Sequence, residues 1–162
     1  MSENNTNGAG GEGAGEKKQP QINVLGQYIK DLSFENPAVP KSLRGGKNPN
    51  IQINFNVQAQ PIGEELFEVA LTMEANAKND EGVIYNLELV YAGGFRLHDL
   101  PKEAIQPVLF IECPALLYPF VRRLVADLTR EGGYPPLLID PIDFASLYRQ
   151  RMVKGEAAAA AQ

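Results

Sequence analysis

Residues 51–59, IQINFNVQA, alternate without exception, with Ile51, Ile53, Phe55, Val57 and Ala59 on one side and Gln52, Asn54, Asn56 and Gln58 on the other. A period of two predicts a half-buried strand. Residues 66–78 keep the period, with Phe67, Val69, Leu71, Met73, Ala75 and Ala77 inward and Glu68, Thr72, Glu74, Asn76 and Lys78 outward. Residues 83–92 repeat it with Val83, Tyr85, Leu87, Leu89 and Tyr91 on one face. The connections at 61–65 and 79–82 are short and polar, which favours hairpins. A weaker strand signal runs over residues 23–34, so the pattern predicts an antiparallel meander of about four strands.

After Gly93 and Gly94 the period changes. Between Ala115 and Glu131, Leu117, Phe120, Val121, Leu124, Val125 and Leu128 fall on one side and Arg122, Arg123, Asp127, Arg130 and Glu131 on the other, which predicts an amphipathic helix. Gly132 and Gly133 end it. Pro119 must lie in its first turn or kink it. A second helix is expected from Asp140 as N-cap, with Pro141 first, Asp143 near the positive dipole end, and Phe144, Leu147, Tyr148 and Met152 as its apolar face. Strands followed by helices give an α+β fold: a four-stranded antiparallel sheet, a long amphipathic helix and a C-terminal helix. Residues 35–50, with three prolines and two glycines, form a long irregular crossover of the kind that is either functional or mobile.

All 13 Phe and Tyr residues lie between Tyr28 and Tyr148, which divides the chain into a disordered Gly-rich tail (1–21), one domain (22–153) and a flexible tail (154–162). A domain this small gains from association with its own copies. The 15 basic and 20 acidic residues give a net charge of −5, which argues against nucleic acid. One Cys excludes an internal disulfide framework and a multi-cysteine zinc site, and one His leaves little for metal binding or base catalysis. No metal or cofactor is expected. The start of the chain has no apolar secretory run, and no stretch reaches the roughly 18 apolar residues of a membrane span. The expectation is a soluble, cytoplasmic protein.

Charge distribution says more than the total. Between Gln60 and Val90 seven acidic residues stand against Lys78 alone, so the hairpins carry the acidic excess. Such a face could steer a basic partner, or it could simply be solvated. The acidic pairs Glu64–Glu65 and Asp80–Glu81 sit at expected hairpin tips, where carboxylates titrate normally and serve solubility. Cys113, before Pro114 at a helix mouth, could pair with His98 as a thiol enzyme, but nothing supplies the rest of a catalytic site, and a lone Cys also serves as a small buried hydrophobe. Leu116 and Tyr118 lie off the main helix stripe, which points to a subunit interface or an apolar groove as alternatives to a single closed core.

The stretch from Glu112, ECPALLYPFVRRLVADLTREGGYPPLLIDPIDFASLYRQR, resembles the carboxyl half of the bacterial protein-export chaperone SecB. Its elements are Cys113 and Pro114; Leu117, Tyr118, Pro119, Phe120 and Arg122; Arg130, Gly132 and Gly133; Tyr134 and Pro135; and Leu138, Pro141, Asp143 and Phe144. YIKDLSFENP (28–37) and LELVYAGGF (87–95) are two further anchors in the family's order, and the resemblance covers residues 22–151.

The resemblance implies a non-enzymatic holdase, a homotetramer built as a dimer of dimers. It would keep unfolded precursor proteins translocation-competent and pass them to the translocation ATPase SecA. The family's acidic SecA contacts carry over to Asp31, Glu35 and Glu88, and SecA's basic, zinc-bearing tail would be the partner. Asn86 stands where some members have Leu, which would weaken an apolar part of that contact. Leu87, Leu89 and Tyr91 occupy the strand face that the family uses in oligomer assembly. By position, Leu43, Ile51, Ile53 and Phe55 line part of the client groove, although the three strand residues serve equally as plain core. The rival readings are an oligomeric scaffold without client binding and a small enzyme using Cys113.

Overall fold

The computed structural model describes residues 18–161. Residues 1–17 of the expected amino-terminal tail lie outside the described residues. Four long antiparallel strands form one sheet: β1 (Gln21–Glu35), β2 (Asn50–Gly63), β3 (Leu66–Asn79) and β4 (Gly82–His98). Their order is β1-β4-β3-β2. Only β2, β3 and β4 form a meander; β1 pairs with β4, so the 36–49 crossover joins opposite edges of the sheet. It passes the β3–β4 turn, because β1 ends opposite Asn86 and β2 begins opposite Lys78. The expected break at Gly93 and Gly94 does not occur. The period continues through Phe95 and Leu97, both buried, and β4 runs on to His98.

Register sorts the side chains into two faces. Phe55, Met73 and Leu89 share one row, and Val57, Leu71 and Tyr91 the next. This apolar face carries the core, with Val69, Leu71, Met73, Ala75, Ala77 and Leu89 sealed from solvent.

The helical region starts earlier than the pattern at Ala115 predicts. A continuous 30-residue run spans Lys102–Glu131, as α1 (Lys102–Pro107), a wider π-helical stretch at Val108–Glu112, and α2 (Cys113–Glu131). By length and composition this run could cross a membrane, contrary to the expectation that no stretch would. Its apolarity is used on the sheet, where Leu109, Cys113, Leu117, Val121 and Val125 are all buried. Each larger side chain so buried contributes about 1.5–3 kcal/mol. Pro119 lies inside α2, not in its first turn. The carbonyl it leaves unpaired belongs to Ala115 on the exposed side.

The last helix, α3, spans Phe144–Ala160. Its N-cap is Asp143, not Asp140, because the Asp143 carboxylate accepts from the Ser146 N–H at 3.0 Å, the third-residue geometry that satisfies a free donor. Asp140 instead gives its carbonyl to the Tyr118 hydroxyl. Phe144 packs into the core edge-on to Tyr118, whereas Met152 of the expected apolar face is half exposed.

Two ties fix the segment after α2. Thr129 donates to the Val125 carbonyl at 2.9 Å and accepts from the Leu137 N–H at 2.8 Å. Gly132 passes against Phe34 so closely that a Cβ would stand 2.6 Å from the ring. The end of β1, the end of α2 and residues 134–137 are thereby held together.

Candidate functional site

The face away from α2 is polar. Ser33, Glu88, Glu74 and Asn54 form one row across the four strands, Asp31, Val90, Thr72 and Asn56 the next, and Glu35, Asn86, Asn76 and Gln52 the row beyond. Alternation therefore puts Asp31, Glu35 and Glu88 on one exposed face despite a separation of more than 50 residues between β1 and Glu88. Asn86 sits directly opposite Glu35. Glu74, opposite Glu88, is a fourth member that motif matching did not single out; its signal was the outward position it holds in the alternation of β3. None of the four has an ion-pair partner among the described residues.

The other end of this face is neutralised. Glu68 accepts from Lys30 at 2.6 Å, from the Tyr28 hydroxyl at 2.5 Å and from Gln60 at 2.9 Å. The Lys30 bond, then the Tyr28 bond, holds the Glu68 carboxyl below its usual range. The same bond to Glu68, followed by partial burial, pushes the Tyr28 hydroxyl up to about 12. The carboxylates of this face without an ion-pair partner among the described residues thus stand at the Asp31, Glu35, Glu74 and Glu88 end, where Lys78 of β3 is the nearby outward cation.

At the sheet end beyond Glu35 lies a cleft of about 690 Å³, within the size range of ligand sites. Its walls are the crossover, the β3–β4 turn and residues 134–137, and Tyr85 and Tyr134 form part of its lining. Their rings are 5.1 Å apart, and Phe34 stands 5.8 Å from Tyr85. Asn36 pins the start of the crossover, donating to the Gly132 carbonyl at 2.8 Å and accepting from the Tyr134 hydroxyl at 2.5 Å.

Of the four groove candidates, Ile51 lines this cleft. Leu43 is 71 % exposed beside it while its neighbours Lys41 and Ser42 form the wall. Ile53 packs against the core. Phe55 lines a second hollow of about 390 Å³ with Phe110, Leu147 and Tyr148. Tyr134 and Pro135–Leu137 were invisible as cleft residues because a Tyr-Pro-Pro turn after a helix reads first as a stop signal.

Leu87, Leu89 and Tyr91 lie beneath α2, each at most 8 % exposed in the single chain. The exposed apolar surface beside them is formed by Val24, Ile29 and Leu32 of β1, on the same face by register, and by Leu116 and Phe120 of α2. Tyr91 stacks under Phe120 at 6.0 Å. Cys113 is sealed, and burial, followed by the Glu112 charge, pushes its thiol up to about 12, so at neutral pH it is no nucleophile. His98 is occupied elsewhere, with Nδ1 2.6 Å from Glu65.

Comparison with known proteins is consistent with this arrangement. The family model for the preprotein translocase subunit SecB matches residues 15–155. The chain is 52 % identical over 153 residues to the protein-export protein SecB of Mesorhizobium japonicum, covering 94 % of this chain and 89 % of that one. It is 52 % identical over 159 residues to that of Bradyrhizobium sp., covering 98 % and 96 %. Among solved structures, a Mycobacterium tuberculosis SecB-like chaperone in complex with a peptide from the HigA1 antitoxin superposes with a TM-score of 0.61 at 19 % identity, over 75 % of this chain and 90 % of that one, a likeness of fold. Together with the acidic face and the aromatic cleft, the family match and the two relatives establish that the chain belongs to the SecB family of protein-export chaperones.

Proposed function

We propose that this chaperone acts as a cytoplasmic holdase without catalytic chemistry: it binds unfolded precursor proteins through the cleft and passes them to SecA, which docks on the acidic sheet face. The observation that carries this reading is the separation of the two surfaces. A cleft whose lining joins Tyr85, Tyr134, Ile51 and Leu137 to a rim of polar residues suits extended apolar segments and tolerates varied sequences. An uncompensated carboxylate face suits a basic tail. Binding the unfolded state alone opposes folding and aggregation by mass action.

Assembly as a dimer of dimers is supported by the exposed apolar patch of Val24, Ile29, Leu32, Leu116 and Phe120. Leu87, Leu89 and Tyr91 would back that patch from beneath. Repeating the cleft on four copies raises avidity for one long client by about 10² to 10⁴.

Calorimetry with a slow-folding precursor tests the client site. Micromolar or tighter binding to the unfolded form is expected, and its absence would leave an oligomeric scaffold as the better account. Light scattering is expected to give four copies. Reversing Asp31, Glu35 and Glu88 together is expected to weaken SecA binding, more visibly at low salt, with the tetramer intact.

A further inference from the structure

The segment after α2 brings Tyr134 to the cleft on a backbone with little freedom. The Tyr134 N–H donates to the Thr129 carbonyl at 3.1 Å, and the Leu137 N–H donates to the Thr129 hydroxyl at 2.8 Å. Thr129 is itself sealed from solvent. Between the two ties stand Pro135 and Pro136, whose rings fix their own φ. With the backbone held, the freedom that remains is the orientation of the Tyr134 ring about its side-chain torsions. Those torsions are controlled best from the far end of the side chain, which is the hydroxyl.

That hydroxyl is held by Asn36. The Asn36 amide donates to the Gly132 carbonyl at 2.8 Å and accepts from the Tyr134 hydroxyl at 2.5 Å. A carbonyl can only accept, so Gly132 sets which way round the amide stands and turns its oxygen to the tyrosine proton. Neighbours on both sides place Asn36. Phe34 packs against Gly132, where no Cβ would fit, and Pro37 disfavours a helical turn at residue 36. Among the described residues the cleft lining includes Tyr85 and Tyr134 but not Asn36, so Asn36 acts on the cleft through the ring it anchors. The ring so pinned stands 5.1 Å from that of Tyr85, tilted by 44°.

We propose that Asn36 is a positioning residue of the client cleft. It fixes Tyr134 so that the ring, with its hydroxyl proton already bonded inside the protein, offers an apolar aromatic wall to an unfolded segment. A donor satisfied in this way makes no demand on the client, which suits a site that accepts varied sequences. A ring left free would have to be ordered at each binding event, and that lost rotamer freedom lowers affinity. The inference rests on the cleft being the client site.

The test is calorimetry of the full-length protein with a chemically unfolded, slow-folding precursor, on variants whose fold is checked by circular dichroism. Asn36→Ala is expected to weaken client binding about fivefold, the equivalent of one hydrogen bond. Tyr134→Phe keeps the ring and removes one oxygen; it is expected to lose the same amount, because the ring loses the same anchor. The double variant is expected to lose no more than either single one. A basic peptide that binds the acidic face is expected to bind all three variants as it binds the parent. A pair with a merely structural role would lower the melting temperature and leave the client affinity of the folded protein where it was. Parent-like client affinity in either folded single variant, losses that add in the double variant, or an equal loss of basic-peptide binding overturns the positioning role while the chaperone reading stands. If Asn36→Ala does not fold, Tyr134→Phe decides by itself, being the smaller change. If the parent captures no unfolded precursor, the chaperone reading fails and the role of Asn36 falls with it.

Discussion

The two faces of the sheet are made by the same strands, yet they answer to different rules. On one face Met73, Leu89 and Phe95 are sealed under α2 and its flanking helical turns, so each side chain is held by its neighbours' shape. On the other, Glu74 and Glu88 stand directly opposite each other, neither with an ion-pair partner among the described residues. Like charges directly opposite are unfavourable in a sheet, so the acidic row does nothing for the fold. The contrast separates residues that build the scaffold from residues that the scaffold displays.

Substitutions that move one face and spare the other sharpen this contrast. The largest effect belongs to the packed face: Leu89→Ala is expected to cost about 2–5 kcal/mol in denaturant unfolding, through lost burial and the cavity left behind. On the same face, Cys113 is expected to resist thiol reagents at neutral pH in the native protein and to react fully in denaturant. Rapid native labelling would break the picture of a sealed core.

On the polar face the effects are smaller and depend on pH. The Glu68 carboxyl is lowered in the folded state by Lys30 and Tyr28, so its contribution is fully present above the ordinary carboxylate range and is lost as pH falls through that range. The Tyr28 hydroxyl is raised to about 12, so its contribution is present below about 10 and is lost as pH rises from there toward 12. Glu68→Gln is expected to cost about 1 kcal/mol at neutral pH and to flatten both limbs of the melting-temperature profile.

The smallest effect has the opposite sign. Glu74→Gln relieves the repulsion with Glu88 and is expected to stabilise the fold by about 0.5 kcal/mol, while weakening binding of a basic SecA tail peptide in calorimetry. Unchanged peptide affinity would remove Glu74 from the docking face.

Much of this was legible in the chain because β alternation is local. Ile51 through Ala59 declares its faces within nine residues, and the two hairpins follow from the polar runs between strands. The same alternation already placed Glu74 outward. Helix boundaries were less legible. Residues 102–114 contain prolines at 107 and 114 and a π-helical stretch, so no clean 3.6-residue period marks them. The strand beyond Gly93 was hidden because two glycines read as a break, whereas pairing with β1 and β3 carries the backbone through.

The sequence by itself determined which residues are apolar and at what period, and hence the strands, the main helix, the shortage of reactive groups and the family. Only the tertiary structure decided that β1 lies beside β4. That placement turns three distant carboxylates and Glu74 into one face, brings Tyr134 onto the cleft with Ile51, and stretches the crossover past Asp80. The reason is physical: periodicity reports the environment along one segment, whereas register and the route of a crossover depend on which segments gain most by burying one another.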